Sequence, residues 1–401
     1  MLSQRTIEVV KSTVPVLETH GTAITSAFYQ KLFHHHPELL NIFNHANQRE
    51  GKQPFALANA VYAAAAHIDR LEAIVPVVKQ IGHKHRALNI LPEHYPIVGE
   101  TLLGAMKDVL GDAATPEIIE AWAEAYGVIA DVFIGIEADM YQQAANKTGG
   151  WSGYRNFVID RKVEESSVIT SFYLVPQDGG EISDYLPGQY ITLRVKPEGE
   201  AYYHNRHYSL SSAPGYPYYR ITVKREDELD GKPAGIVSNW LHRHAEVGTV
   251  LEVTAPAGTF TLDTDSDLPL ALISGGVGLT PMVAMLESVL LNQPERKVTF
   301  IHAAKCGSQH AMKLHIDELA SQHPQLSTYV IYEQPETEDT CHQTGYIDLE
   351  FLRKTVDSKA DFYFCGPVPF MRAVNGHLKS MEVPADRIHY EFFGPAGTLE
   401  S

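Results

Sequence analysis

Arg206, His207, Tyr208 and Ser209 contain the pattern R-x-Y-S, and 26 residues after Ser209 the run Gly235, Ile236, Val237, Ser238 gives G-x-x-S at the head of the apolar-periodic SNWLHRH. An arginine and the amides of a helix start can hold a pyrophosphate, and a tyrosine and a serine at a strand end can face an isoalloxazine ring. R-x-Y-S alone is short, and a strand with an exposed Arg and a packed Tyr has the same letters. With PGQY at 187–190 upstream and G-x-x-S downstream, it reads as a flavin site. Farther on, Gly275, Gly276, Val277, Gly278, Leu279, Thr280 and Pro281 lie between an apolar strand and a helical pattern. Missing side chains there let backbone amides approach a phosphate, although the spacing is not G-x-G-x-x-G and a tight turn without ligand is an alternative. Cys365, Gly366 and Pro367 follow another apolar strand and supply a second turn of the same kind. Together the two turns point to a nicotinamide nucleotide, with Cys365 as a packing residue rather than a nucleophile.

These strings need a strand end, a helix start and a parallel sheet to hold them, and the pattern supplies all three. From about residue 152 to 262, short β-rich runs (FVIDRKV, ITSFYLV, YITLRV, YRITVKR, VLEVTAP) are spaced by turn residues, which predicts an antiparallel barrel. After Asp267 the chain alternates strand, Gly-rich turn and helix, as in a doubly wound parallel sheet. After the second strand of that sheet, VTFIHAAK, an acid would favour a ribose hydroxyl and an Arg cluster a 2′-phosphate. Lys305, Cys306, Gly307 and Ser308 follow, so the sequence leans toward NADH over NADPH.

A flavin fed by a nicotinamide passes on single electrons and needs an acceptor. Residues 1–145 read as an all-α unit, with apolar residues three and four apart over 5–17, 22–33, 54–68, 93–109 and 116–141. Pro37, Pro54, Pro92 and Pro116 fall at first turns and Gly111 after a helix end. A helical unit without clustered cysteines is most simply a haem domain, where one histidine suffices as ligand. The histidines are His20, His34, His35, His36, His45, His67, His83, His85 and His94. The HHH run before Pro37 reads as a solvated turn and His67 as a satisfied helix residue. His85 stands apart because Val78, Ile81 and Leu88 surround it at helical offsets and Tyr95 follows ten residues later. Gln53 and Leu57, four apart, share a helix face and could look into one pocket.

The 401 residues are 44% hydrophobic and 20% charged, ordinary globular composition for three domains, expected at 1–146, 152–263 and 266–401. A net charge of -17 argues against nucleic acid and anionic membranes as partners. Three dispersed cysteines support no disulfide framework, zinc site or iron-sulfur cluster. With no export signal and no apolar run of membrane-spanning length, a cytoplasmic location is expected.

The second half resembles the ferredoxin-reductase family. That resemblance implies that Tyr190 of PGQY contacts FAD, that Cys365–Pro367 belong to the nicotinamide site, and that HYEFFGP brings Glu391, Phe392, Phe393, Gly394 and Pro395 near the flavin and nucleotide. An apolar C-terminal strand is the alternative for that last segment. With FYQKLF, HPELLNIFN, the Lys-His pair at 84–85 and AYGVIADVF added, the whole chain resembles the flavohemoglobins. The family implies an N-terminal globin, a β-barrel FAD domain and a C-terminal NAD(P) domain, with haem b, FAD and NADH or NADPH as cofactors. It implies that His85 is the proximal iron ligand, that Tyr29 donates to iron-bound dioxygen, and that Phe43, Gln53 and Leu57 line the distal pocket. Tyr95 and Glu137 would form a polar relay behind His85, and Lys84 and Glu391 would tune redox potential; a solvated Glu137 and a surface salt bridge for Lys84 are the plainer alternatives. The implied activity is nitric oxide dioxygenation, with O2 and nitric oxide as small-molecule partners, no obligate protein partner and a monomeric state. An oxygen store or gas sensor with its own reductase, and a general flavin reductase, are the competing functions.

Overall fold

The computed structural model describes residues 2–43, 51–229, 231–394 and 399. His45 and Pro395 lie outside the described residues. The chain divides into two compact units, residues 1–147 with 151–154 and 194–206, and residues 148–150 with 155–193 and 207–401.

The first unit contains helices α1 (Gln4–Ser12), α2 (Val14–His35), α3 (Lys52–Ala66), α4 (Val75–Ala87), α5 (His94–Leu110) and α6 (Pro116–Asn146). The periodicity over 5–17 predicts one helix, but the chain breaks at Thr13 and then runs unbroken to His35. Pro15 fits the first turn of α2, and Thr13 is tied down from both sides. Its Oγ1 donates to the Val10 carbonyl at 2.6 Å and accepts from Trp122 Nε1 of α6 at 3.1 Å. Nothing stops α2 at residues 18–21, because Gly21 faces Ala58 of α3 and lets the two helices close together. The HHH run is also not a turn: His34 and His35 form the last, exposed turn of α2.

The antiparallel sheet contains β1 (Tyr154–Glu164), β2 (Ile169–Pro176), β3 (Tyr190–Val195), β4 (His204–Ser209), β5 (Tyr219–Lys224) and β6 (Val250–Thr254), in the order β4-β3-β6-β1-β2-β5. A bridge between Leu210 and Ile221 joins the two outer strands, and α7 (Ile236–His244) lies between β5 and β6 in sequence.

The parallel sheet comprises β7 (Leu270–Gly275), β8 (Val298–Ala304), β9 (Leu326–Tyr332), β10 (Gln343–Thr344), β11 (Asp361–Cys365) and β12 (Ile388–Tyr390), in the order β10-β9-β8-β7-β11-β12. Helices α8 (Leu279–Asn292), α9 (Lys313–Gln322), α10 (Leu349–Thr355) and α11 (Val368–Ser380) accompany it. Alternate residues of one strand enter different cores: Leu270 and Leu272 pack with Met282 and Tyr363, while Ala271 and Ile273 pack with Phe364 and Met371. Covering both faces explains why these strands read as unbroken apolar runs. Strand order reverses between β7 and β11, which opens the crevice where such sheets bind ligands. Among the described residues no helix is long and apolar enough to cross a membrane.

Candidate functional site

His85 lies in the last turn of α4, whose first turn contains Pro76. Its Nδ1 is 2.7 Å from Glu137 Oε1 and 3.2 Å from the Tyr95 hydroxyl, and Tyr95 donates to the same Glu137 oxygen at 2.7 Å. A carboxylate only accepts, so Nδ1 carries the proton and Nε2 is the nitrogen left for a ligand. Among the described residues nothing bonds that Nε2. An imidazole oriented from behind by a carboxylate, with its other nitrogen open, fits an iron ligand. Glu137 is 3% exposed, so its charge is not shared with water. Burial first, then the charge and hydrogen bond of Glu137, hold the Tyr95 phenol far above its ordinary pKa, so it remains a donor. Lys84 precedes His85 in the same helical turn and is half-buried.

Tyr29 is buried within α2, its ring 5.7 Å from Phe43 in edge contact and 5.8 Å from Phe33 in a stacked one. Gln53 and Leu57 both lie on α3 and are half-buried; Leu57 packs against the same apolar cluster as Tyr29 and Phe43. The Thr25 hydroxyl of α2 donates to the Pro54 carbonyl at 2.7 Å, which fixes the start of α3 beside Tyr29's helix.

On the flavin side, Tyr190 is buried in β3 with its ring 4.8 Å from His207, whose Nδ1 is 2.6 Å from Thr192 Oγ1. Arg206 donates through Nη1 to the Asn205 carbonyl at 2.7 Å, Tyr208 is half-buried, and Ser209 is buried at the end of β4. Gly235 caps α7, and its N–H donates to the Glu226 carbonyl at 2.8 Å. The Ser238 hydroxyl accepts from Glu226 N at 3.2 Å and donates to Gly235 O at 3.3 Å, so it shapes the turn, while Val237 is buried beneath. A Cβ on Gly235 would lie 2.7 Å from Ser238 Oγ, so glycine lets this turn close, and the first-turn amides of a helix such as α7 fit a pyrophosphate.

The nicotinamide turns interlock at the switch point. Gly276 has φ +54°, and a Cβ on Gly278 would collide with the Cys365 carbonyl and lie 2.7 Å from Gly366 N. Gly275 and Gly366 both leave room for the Phe370 ring. The Thr280 hydroxyl donates to Val277 O at 3.1 Å; Leu279 and Pro281 are buried, while Pro367 is exposed. Burial, reinforced by Glu391, pushes the Cys365 thiol well up, and its Sγ donates to the Glu391 carbonyl at 3.4 Å. Phe392 packs on the neighbouring core, whereas Phe393 and Gly394 are exposed.

Family models match in chain order: a globin over residues 26–133, an oxidoreductase FAD-binding domain over 157–262 and an oxidoreductase NAD-binding domain over 272–376. A flavohemoprotein of Bacillus cereus is 56% identical, with both chains covered in full. This chain belongs to the flavohemoprotein family. A solved flavohemoglobin of Malassezia yamatoensis with bound FAD and heme is similar at a TM-score of 0.83 and 28% identity, covering 98% of this chain and 100% of that one. The FAD/NAD-binding domain of a nitric oxide dioxygenase from Vibrio cholerae matches at a TM-score of 0.56 and 39% identity, over 60% of this chain and 99% of its own. As a flavohemoprotein the chain is an oxidoreductase that joins a haem-binding globin to FAD-binding and NAD-binding domains.

Some residues that shape these sites escaped sequence reasoning. Phe133 lies 5.8 Å from the His85 ring, and its spacing of four from Glu137 on one helix was a usable signal. Tyr126 donates to the Tyr95 carbonyl at 2.6 Å and occupies the space that a Cβ on Gly99 would take. Past β8, Gly307 N and Glu336 N both donate to Asp339 Oδ2 at 2.8 Å, and the Ser308 hydroxyl donates to Glu336 at 3.0 Å. The acid absent beside Lys305 in sequence is thus delivered by the loop after β9.

Proposed function

We propose that this flavohemoprotein is a nitric oxide dioxygenase, working through three parts at residues 1–146, 152–263 and 266–401. Bound FAD would supply the conversion of a two-electron donor, NAD(P)H, into single electrons, and a haem b would supply the reduced iron at which O2 and nitric oxide are turned into nitrate. His85 Nε2 would hold the iron. The carboxylate of Glu137 on His85 Nδ1, at 2.7 Å, is the observation that carries this reading, because it gives the imidazole imidazolate character and a stronger push of electron density than an oxygen store needs. Tyr95 keeps that carboxylate in place, and Lys84 and Glu391 adjust the local potentials. The Tyr29 phenol donates to the distal ligand, with Phe43, Gln53 and Leu57 shaping the pocket.

Arg206 and the amides of Val237 and Ser238 would hold the FAD pyrophosphate, with Gly235 shaping the turn through its N–H bond to the Glu226 carbonyl, and Tyr190, His207, Tyr208 and Ser209 would face its ring system. The turns at 275–281 and 365–367, with Phe392 to Pro395, receive the nicotinamide nucleotide. The carboxylates of Glu336 and Asp339 at the turn after β8 would repel a 2′-phosphate, so NADH is the preferred donor. The protein acts as a cytoplasmic monomer with no obligate protein partner.

Steady-state turnover with NADH under air tests the proposal. Added nitric oxide should accelerate NADH oxidation and appear as nitrate, two molecules per NADH consumed; NADH oxidation indifferent to nitric oxide would favour a general flavin reductase.

A further inference from the structure

Glu287 of α8 is an acid in a helix buried throughout residues 279–290, its side chain only 7% exposed. Its Oε1 accepts from Arg220 Nη2 of β5 and contacts His315 Nε2 of α9, each at 2.8 Å, and its Oε2 accepts from Ala213 N at 2.8 Å. Arg220 is equally buried and is itself anchored to Ser211, donating to both its carbonyl and its hydroxyl. One carboxylate therefore gathers the chain just past the R-x-Y-S strand, the neighbouring strand β5 and the helix that opens with the Gly275–Gly278 turn. The junction is close to both cofactor strings. Ser211 is two residues beyond Ser209, Glu287 lies about 12 Å along the helix from Leu279, and β5 runs beside the Gly276–Gly278 turn.

Burial alone would raise the Glu287 carboxyl, but the hydrogen bond from His315, the charge of Arg220 and the Ala213 amide outweigh it and hold it below its ordinary value. The acid stays ionised. A buried ion pair of this kind adds little net stability over apolar residues of the same volume; what it supplies is direction, since each hydrogen bond fixes an angle and a distance. Hydride transfer is the step most sensitive to such alignment: donor and acceptor must meet at about 3–3.5 Å, and a misplacement of about 1 Å can slow it about 100-fold.

We infer that Glu287, held by Arg220 and Ala213, is a positioning residue that sets the nicotinamide turn against the flavin-bearing strand for hydride transfer. The inference rests on the reductase reading of residues 152–401 and needs nothing from the globin.

The test is anaerobic stopped-flow reduction of the flavin by NADH in the full-length holoprotein, comparing wild type, Glu287→Gln, and the paired replacement Arg220→Met with Glu287→Leu. The pair removes the directional bonds without stranding a buried charge, so it keeps the fold if the single variant does not. Both should retain FAD and haem absorption and the NADH concentration for half-saturation. Their limiting rate of flavin reduction should fall on the order of 10–100-fold, and the transient nicotinamide–flavin charge-transfer absorbance should weaken. A limiting rate and charge-transfer band equal to wild type in the paired variant would overturn the inference. Failure of wild type itself to reduce its flavin would instead overturn the reductase reading.

Discussion

At His85 the protein places three polar side chains within hydrogen-bonding distance of one another inside apolar helices, and the site is what those side chains are. At the Gly275–Gly278 and Cys365–Pro367 turns it does the reverse, removing side chains until two backbone segments touch. The first design suits a ligand that is tuned electronically through one atom. The second suits a large, charged, exchangeable nucleotide that must be gripped along its phosphates and then released. Opposite kinds of substitution should therefore damage the two regions.

The sharpest contrast comes from one deletion and one addition. His85→Ala should abolish the Soret band while flavin absorption persists; Gly278→Val should leave both chromophores in place and abolish flavin reduction by NADH, because its side chain meets the Cys365 backbone rather than a movable group. A His85→Ala protein that keeps a ligated haem would break the comparison at its globin end. Next in size, Glu137→Gln keeps the shape but removes the charge behind His85. It should cost about 10–100-fold in nitric oxide turnover, with a weakened iron–histidine stretch in the Raman spectrum. Tyr29→Phe removes one hydrogen bond and should raise the oxygen off-rate about 2–10-fold, measured by ligand displacement. Smallest is Asp339→Asn, which keeps an oxygen able to accept from Gly307 and Glu336 but drops the charge. NADP+ binding, followed by calorimetry, should tighten by a few-fold while NAD+ binding stays the same, an effect limited by solvent screening at the turn.

The two regions also differ in how far the sequence reveals them. Gly-rich turns after apolar strands were legible because a missing side chain is a local requirement, recorded at fixed spacing beside the strand that needs it. His85 was legible through its apolar helical neighbours, and Gln53 with Leu57 through their spacing of four. The contacts that complete these sites were not legible from spacing, and Glu137 behind His85 was expected only through the family resemblance. Glu137 is 52 residues from His85, Asp339 is 32 from Gly307 and Glu287 is 67 from Arg220, and no periodicity connects such pairs. The helix break at Thr13 was only partly local, since Pro15 marks the new first turn but Thr13 is also held by Trp122, 109 residues away. Local patterns fix which surfaces are apolar and which turns are bare, whereas pairing of distant polar groups emerges only once the helices and sheets have packed.

The most direct test of the dioxygenase account is stopped-flow mixing of the reduced, oxygenated protein with nitric oxide, followed in the Soret region with product analysis. The account predicts fast conversion to ferric haem with nitrate formed mole for mole, and a renewed cycle once NADH is supplied. Slow conversion, or nitric oxide consumed without nitrate, would contradict it.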